Sequence, residues 1–248
     1  MLFTGCSKKA ESKVPDKLIV GTNAEFPPFE YMNDKKQPEG FDIAMIKEIG
    51  KRMGKKVEIK NMEFKSLIGA MESDSINAII AGMTKTEKRE KAVDFSDSYY
   101  TTNQAIILKK DSKITKLAQL DGKKIGVQEG TTGDLISSGD KFGDGKKAKV
   151  LVKGAKVKRF KKGVDAVMDL KNGSVDAVVI DELTANEFVK KNAKKLKIVI
   201  DSAGSEYYCI ALTKGNTAYK EEVNKQIKAI KEDGTYDKLK AKYIDSKN

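Results

Sequence analysis

The stretch that decides the fold is a short apolar strand followed by a turn-prone loop, Lys17-Leu18-Ile19-Val20-Gly21 and then Thr22-Asn23-Ala24-Glu25-Phe26-Pro27-Pro28-Phe29-Glu30. A helix is predicted from Asp42 onward, because Ile43, Ile46, Ile49 and Met53 are spaced as one buried helix face requires. Asp42 is of a residue type that favours the N-cap, and we expect it to cap this helix. The order strand, loop, helix is typical of the start of an α/β unit.

The same alternation continues along the chain. Strands are predicted at 57–59, 77–82, 124–128, 175–181 and 197–200, with helical stretches between them, and two amphipathic helices flank Asp233-Gly234. The run 77–82 is almost continuously apolar, which is typical of a parallel strand covered on both faces. Two α/β units in succession are therefore predicted, and a chain of 248 residues is long enough for both.

Composition narrows the function before any motif is considered. Hydrophobic residues make up 39% and charged residues 34% of the chain, and no apolar run approaches the ~20 residues of a membrane span. The net charge of +12 raises the question of a nucleic-acid partner. The basic run without acids, 146–162, lacks a groove-reading helix pattern, so we interpret it as a solvated surface and expect no nucleic acid to bind. Attraction to another anionic partner is the alternative.

The sequence contains no histidine, which removes Ser-His, Cys-His and His-ligated metal mechanisms together. Cys6 and Cys209 are far apart and form no C-x-x-C pair, so neither a zinc site nor a redox pair is predicted. No metal or cofactor is expected, and Cys209 is interpreted as a small core residue.

Two charged residues follow predicted strands, where α/β proteins place their ligands. Arg89 comes shortly after the run 77–82, and Asp181 ends the strand 175–181. A guanidinium can bind a carboxylate through two parallel hydrogen bonds, and a carboxylate can receive an ammonium, so the pair complements the zwitterionic head of a free amino acid. Each residue also fits a structural interpretation, Arg89 on a solvated helix face and Asp181 as the cap of the next helix.

Sequence blocks that match one known family recur along residues 17–244. They are 21–30, Gly40-Phe41-Asp42, 80–84 through Arg89, 93–96, Ser98-Tyr99-Tyr100, 126–128 with Gly130-Thr131-Thr132, 175–178 and Asp233-Gly234-Thr235-Tyr236. In this the chain resembles the polar amino-acid family of bacterial extracellular solute-binding proteins, the substrate-binding components of ABC transporters. The resemblance implies an α/β, two-lobed periplasmic-binding-protein (Venus flytrap) fold of type II, with two hinge strands near 99–103 and 204–208. It implies lobe 1 at 17–100 plus 208–248 and lobe 2 at 101–207, after an N-terminal segment 1–16.

The resemblance also implies roles for residues at the matching positions. Arg89 and the amides near Thr84 and Thr131 would hold the α-carboxylate of a free amino acid, while Asp181, the Gly82 carbonyl and the Thr84 hydroxyl would hold its ammonium. The full predicted set of ligand-binding residues is Asn23, Phe26, Phe64, Ala81, Gly82, Met83, Thr84, Arg89, Gln128, Thr131, Thr132 and Asp181. Its two phenylalanines would enclose the ligand side chain.

The identity of that side chain stays open between two groups. Binders of basic amino acids, arginine above all, often carry an acid where this chain has Asn23, so the anion for a guanidinium would have to come from Glu25 or Glu30. Glutamine binders tend to place Lys and His where this chain has Gln128 and Ile180. We favour a basic ligand such as arginine first, and glutamine or another neutral polar amino acid second.

Functions of other classes are less well supported, and we expect the chain not to be an enzyme. Cyclohexadienyl dehydratases resemble these binding proteins, but a dehydratase needs a positioned general acid, for which Glu25 is the candidate. A signalling receptor module would carry a fused membrane-spanning or signalling domain, which the sequence does not predict.

The first residues predict a location outside the cytoplasm. Phe3-Thr4-Gly5-Cys6 followed by Ser7-Lys8-Lys9 resembles the lipobox of bacterial lipoproteins, with Cys6 as the lipidated residue, and a polar tether follows to residue 16. An ordinary terminus with an incidental cysteine is the alternative. We expect a lipid-anchored monomer in the periplasm or at the cell surface, with a free L-amino acid and an ABC permease in the membrane as its partners.

Overall fold

The computed structural model describes residues 13–138, 152–200 and 205–245. Cys6, most of the predicted tether, the first part of the basic run and Gly204 lie outside the described residues. The β-strands are β1 Lys17–Thr22, β2 Glu25–Phe26, β3 Glu30–Met32, β4 Pro38–Glu39, β5 Lys56–Asn61, β6 Ala78–Ile79, β7 Val93–Thr102, β8 Gln104–Lys109, β9 Lys124–Gln128, β10 Lys156–Phe160, β11 Ala177–Asp181, β12 Leu196–Ile200 and β13 Glu206–Thr213. The α-helices are α1 Phe41–Arg52, α2 Leu67–Glu72, α3 Glu87–Glu90, α4 Thr132–Ser138, α5 Gly163–Asn172, α6 Glu182–Lys190, α7 Thr217–Glu232 and α8 Thr235–Tyr243. Short 3-10 helices lie at Phe64–Ser66 and Leu117–Leu120.

Two five-stranded sheets form the framework. The first has the order β5-β1-β6-β13-β7 and the second the order β10-β9-β11-β8-β12. In the first, β1 runs parallel to β5 and β6, whereas β13 is antiparallel to β6 and β7. In the second, β9 runs parallel to β10 and β11, whereas β8 is antiparallel to β11 and β12. The predicted parallel units are thus present, and each sheet contains one strand that runs against the others, β13 in the first and β8 in the second, a direction that was not predicted.

The chain crosses between the two sheets at two places. It passes from β7 of the first sheet to β8 of the second through Asn103, and it returns from β12 to β13. Strands β7 and β13 pair with each other as far as Thr102 and Glu206. This arrangement is the two-lobed type II architecture with two connecting strands. The lobe boundaries at 100/101 and 207/208 stay a prediction.

The helix α1 begins one residue earlier than predicted, and Asp42 is not its N-cap. The N-cap is Gly40, with φ of 130°, where an added Cβ would lie 2.2 Å from the Phe29 carbonyl oxygen. The carboxylate of Asp42, fully buried, instead accepts hydrogen bonds from the Gly82 amide at 2.8 Å and the Tyr99 hydroxyl at 2.7 Å. The prediction failed because this acid serves a neighbouring loop rather than its own helix.

The apolar run 77–82 is a regular strand only at β6. The chain then turns at Gly82, whose φ of 52° favours glycine. An added Cβ there would lie 3.3 Å from the rings of Phe26 and Tyr208. The backbone therefore leaves the sheet at this residue and forms part of the wall between the lobes.

Cys209 is buried in the core of the first sheet, as predicted. Within residues 13–138, 152–200 and 205–245, no helix has the length and apolar composition of a membrane span. Over those same ranges, no group of three or more carboxylate or cysteine side chains is arranged to hold a metal ion.

Candidate functional site

A cavity between the two sheets gathers most of the predicted ligand-binding residues. It is lined by Asn23, Phe26, Phe64, Ala81, Gly82, Thr84, Arg89, Gln128, Thr131, Thr132 and Asp181. Of the predicted set, Met83 is not in the lining. Its side chain packs in the core of the first sheet, near Leu67 and Met71, while its carbonyl accepts a hydrogen bond from the Cys209 amide at 3.0 Å.

The cavity is narrow because the lobes are closed around it. Its walls enclose about 280 Å³ of space outside protein atoms, of which only about 10 Å³ admits the centre of a water molecule. Two hydrogen bonds cross it directly. Gln128 Nε2 donates to Asn23 Oδ1 at 2.8 Å, and Arg89 Nη2 donates to the Gly130 carbonyl at 3.0 Å. The single oxygen of the Gln128 amide, Oε1, is buried with no hydrogen-bond partner among the described residues.

Ion pairs connect the lobes at the rim of the cavity. Lys65 pairs with Glu129 at 2.9 Å. In two further pairs the second lobe supplies the lysine and the first lobe the acid: Lys161 pairs with Glu63 and Lys162 pairs with Glu25, each at 2.7 Å. Both lysines are exposed, as expected for a solvated surface, and in addition each contacts an acid of the other lobe. Exposed pairs of this kind contribute little individually and are weakened by salt.

Arg89 is buried, so the solvated-surface alternative is wrong. It lies in the short helix α3, whose N-cap Thr86 accepts a hydrogen bond from the Arg89 amide at 3.3 Å. Its guanidinium donates to the Thr84 carbonyl at 2.5 Å and to Gly130, and lies 5.3 Å from the Phe64 ring centroid. Two of the five guanidinium N–H donors are used in this way, which leaves three to bind an anion.

The charge of Arg89 persists at neutral pH. Burial lowers its pKa to about 10, and the nearby carboxylates of Glu206 and Asp181 act in the opposite direction. No carboxylate of the described residues lies within 4.0 Å of the guanidinium, so Arg89 forms no ion pair in the part of the chain that the structure covers. A buried cation without a paired anion is costly, and an anionic ligand would relieve that cost.

Asp181 occupies the N-cap position of α6, but its side chain makes no capping hydrogen bond. The side chain faces the cavity instead, where Oδ1 accepts a hydrogen bond from the Tyr208 hydroxyl at 2.7 Å. Burial raises the pKa of Asp181, and the carboxylate of Glu206 raises it further. A cation entering the cavity would therefore stabilise the ionised form of Asp181.

Glu206 is the functional candidate that the sequence analysis missed. It is the first residue of β13, at the second crossing between the lobes, and only 7% of it is exposed. Its Oε2 accepts hydrogen bonds from the hydroxyls of Thr84 and Thr132, both at 2.7 Å. Burial raises the pKa of Glu206, and these hydroxyl bonds oppose the shift. Glu206 begins a strand, whereas Asp181 ends one, so the rule that identified Asp181 does not find Glu206.

The acids expected to meet a basic side chain do not line the cavity. Glu25 forms the rim ion pair with Lys162. Glu30 is fully buried behind the cavity, beside Asp42, and burial with this neighbouring acid raises the pKa of Glu30 well above its usual range. The expectation that Glu25 or Glu30 supplies the anion is therefore wrong, because one is neutralised at the rim and the other is enclosed in the core.

Behind the cavity, Asp42 holds the loop that carries Gly82. Burial raises the pKa of Asp42 to about 6, while the hydrogen bonds from the Gly82 amide and the Tyr99 hydroxyl oppose the shift. The bond from the Gly82 amide fixes the backbone at Gly82, which lines the cavity and whose carbonyl is a predicted ligand contact. The buried acids on this side thus support the site rather than line it.

The comparisons with known proteins agree with this architecture. The family model of the bacterial extracellular solute-binding proteins, family 3, matches residues 18–246, and the chain belongs to that family. It is 34% identical over 243 residues to the arginine-binding extracellular protein ArtP of Bacillus subtilis (strain 168), covering 97% of this chain and 91% of the relative.

Solved structures are similar over nearly the whole chain. An ancestral arginine-binding protein bound to arginine is 43% identical with a TM-score of 0.84, covering 94% of this chain and 100% of that protein. An ancestral arginine-binding protein bound to glutamine is 42% identical with a TM-score of 0.84, covering 94% of this chain and 99% of that protein. An ancestral amino acid-binding protein, AncCDT-1, described as a precursor of cyclohexadienyl dehydratase, is 34% identical with a TM-score of 0.81, covering 92% and 95%.

Proposed function

We propose that this chain is the substrate-binding component of an ABC amino-acid uptake transporter and that it closes around one free polar L-amino acid. The observation that carries the proposal is the pair Arg89 and Asp181. These residues bear opposite charges, come from separate sheets, are both buried, and line one cavity without pairing with each other. A zwitterion is the ligand that satisfies both.

The proposed contacts follow from the hydrogen-bonding capacity that remains at each group. The free N–H donors of Arg89, with backbone amides near Thr84 and Thr131, receive the α-carboxylate. Asp181, the Gly82 carbonyl and the Thr84 hydroxyl receive the ammonium. Each charged hydrogen bond shielded from water contributes ~1.5 to 3 kcal/mol, and contacts from both lobes exist together only in the closed state. Ligand therefore favours closure.

A basic amino acid, arginine first, suits the side-chain region better than a neutral one. The cavity and its immediate surroundings hold two carboxylates, Asp181 and Glu206, against the single guanidinium of Arg89 among the described residues. A ligand with a net positive charge balances this set. The rings of Phe26 and Phe64 offer faces that attract a cation, and the unpartnered Gln128 oxygen accepts a hydrogen bond. Glutamine or another neutral polar amino acid is the second choice.

The cellular setting is part of the same proposal. A permease can distinguish loaded from empty binding protein by the relative placement of two rigid lobes. The family's members are extracellular by description, which supports a site of action outside the cytoplasm. We propose that Cys6 carries a lipid anchor and that the chain acts as a monomer.

A cyclohexadienyl dehydratase activity is the alternative on this scaffold. It would need a general acid in the cavity, and Glu25, the candidate from the sequence, is held in an ion pair with Lys162 at the rim. The presence of a dehydratase precursor among the similar structures keeps the test relevant. Turnover of prephenate or arogenate by the purified protein would overturn a purely binding function.

A thermal-shift screen of the twenty amino acids, followed by calorimetry of those that stabilise, tests the proposal. A ligand that binds only folded protein raises stability by mass action, by about 4 kcal/mol at a thousandfold excess over Kd. We expect arginine to produce the largest shift. Failure of every amino acid to stabilise the wild-type protein would contradict the proposed function.

A further inference from the structure

We propose that Glu206 is a positioning residue of the amino-acid site: it orients the Thr84 hydroxyl as an acceptor for the ligand's ammonium group. This inference rests on the proposed function. It adds a residue outside the predicted set and assigns it a role that acts through Thr84 rather than by contact with ligand.

The first step concerns the single proton of the Thr84 hydroxyl. A hydroxyl has one donor and two acceptor lone pairs. Thr84 donates its proton to Glu206 Oε2 at 2.7 Å, and Thr84 lines the cavity with 6% exposure. Its lone pairs therefore remain available on the cavity side, where only a donor can use them. An α-ammonium group supplies three such donors.

The second step concerns the other lobe. Thr132, at the start of α4, donates its hydroxyl proton to the same Glu206 oxygen at 2.7 Å, while accepting a hydrogen bond from Gln104 Nε2 at 3.1 Å. Glu206 itself lies on the strand β13 that connects the lobes. One carboxylate oxygen thus joins the Thr84 hydroxyl of the first lobe to the Thr132 hydroxyl of the second.

The third step is why the group must be a carboxylate. An ionised carboxylate only accepts hydrogen bonds, so both threonines must donate to it. An amide at the same position presents both an acceptor and a donor, so it no longer forces both hydroxyls to donate: when its N–H₂ group faces Thr84, that hydroxyl accepts from the amide and donates into the cavity. A donor there repels the ammonium of a ligand. Glu206→Gln therefore removes the charge and the constraint on the hydroxyl's direction with almost no change in volume.

A four-variant cycle measures this role. Wild type, Glu206→Gln, Thr84→Ala and the double variant are titrated with L-arginine by calorimetry, with a thermal-shift titration for weak binders. We expect each single substitution to raise the Kd for arginine roughly tenfold, the loss of about one charge-assisted hydrogen bond. In the Thr84→Ala background, Glu206→Gln should change the Kd by less than about twofold, because the hydroxyl that it orients is absent.

Controls separate positioning from general effects of charge and folding. Glu182→Gln removes the charge of another carboxylate at the crossing, which accepts a hydrogen bond from Asn103 Nδ2 at 3.1 Å outside the cavity lining, and it should leave the Kd unchanged. Thr84→Ser keeps the hydroxyl and should restore sensitivity to Glu206→Gln. If Glu206→Gln does not fold, as judged by thermal unfolding, Glu206→Asp replaces it, since the shorter side chain withdraws the carboxylate from both hydroxyls.

The outcomes discriminate the inference from the function on which it rests. Losses that multiply in the double variant, no loss in Glu206→Gln, or an equal loss in Glu182→Gln would each overturn the positioning role. Failure of wild type to bind any amino acid would instead overturn the proposed function and leave no ligand for the cycle to measure.

Discussion

Replacing Arg89 with alanine should abolish amino-acid binding while the protein stays folded. The guanidinium has three N–H groups not used by the Thr84 and Gly130 carbonyls, and a bidentate carboxylate takes two of them. Two charged hydrogen bonds at ~1.5 to 3 kcal/mol each amount to ~3 to 6 kcal/mol, which corresponds to a rise in Kd of roughly 10² to 10⁴.

The stability of the ligand-free protein should change much less. The substitution removes two hydrogen bonds, but it also removes a buried cation whose desolvation already lowers its pKa to about 10. These effects oppose each other, and we expect a net change within ~2 kcal/mol. Arg89→Lys, which keeps the charge without the forked geometry, should bind with intermediate affinity.

Calorimetric titration with L-arginine, together with thermal unfolding with and without ligand, measures both quantities. Arg52→Ala is the matched control, since Arg52 also lies in the first lobe but pairs with Glu48 at 2.8 Å and Asp233 at 2.7 Å, away from the cavity. An Arg89→Ala protein that binds arginine within about fivefold of wild type would refute the carboxylate role.

Three further predictions concern charge in the cavity. Asp181→Asn should weaken binding at least tenfold by calorimetry, because the amide cannot neutralise an ammonium; unchanged affinity would remove that assignment. Asn23→Asp should raise the ratio of arginine affinity to glutamine affinity, since Asn23 lines the cavity. The ratio is compared because the variant also loses the hydrogen bond from Asn23 Nδ2 to the Met62 carbonyl at 2.8 Å. An unchanged ratio would argue against contact between residue 23 and the ligand side chain. The raised pKa values of Asp181 and Glu206 mean that ionising them lowers stability as pH rises above the ordinary carboxyl range, and a bound ammonium reverses this. Arginine affinity should therefore fall as the pH is lowered from about 8 to 5. Binding of arginine should release protons, as measured by calorimetry in buffers of different ionisation enthalpy; proton uptake on binding would contradict the account.

Much of the fold could be predicted because local pattern and global fold agree. The strand at β9 has the predicted bounds, and α1 buries the predicted isoleucines, since both follow directly from the spacing of apolar residues. The antiparallel direction of β13 and β8, one in each sheet, was not predicted. Their place depends on the chain crossing twice between lobes, which no local pattern encodes.

The candidate site divides in a similar way. Arg89 and Asp181 could be identified because each follows an apolar strand, where backbone geometry alone directs side chains to the cleft. Glu206 and Gln104 were missed because they lie at the crossings, and their burial depends on the other lobe. The anion expected from Glu25 was wrong for the same reason, since its partner Lys162 belongs to the opposite lobe.

Asp42 shows a different limit. An aspartate before an amphipathic stretch is typical of an N-cap, and only the three-dimensional arrangement shows that its carboxylate accepts from Gly82 and Tyr99 instead. The N-cap is Gly40, and its φ of 130° cannot be inferred from the spacing of apolar residues.

The most direct test of the account is a crystal structure of the chain with L-arginine bound. We expect both carboxylate oxygens of the ligand within about 3 Å of the Arg89 guanidinium, and its ammonium nitrogen equally close to the Asp181 carboxylate. A complex in which these two side chains point out of the cleft, or bind each other while the ligand lies elsewhere, would contradict the claim that opposite charges from separate lobes meet on one zwitterion.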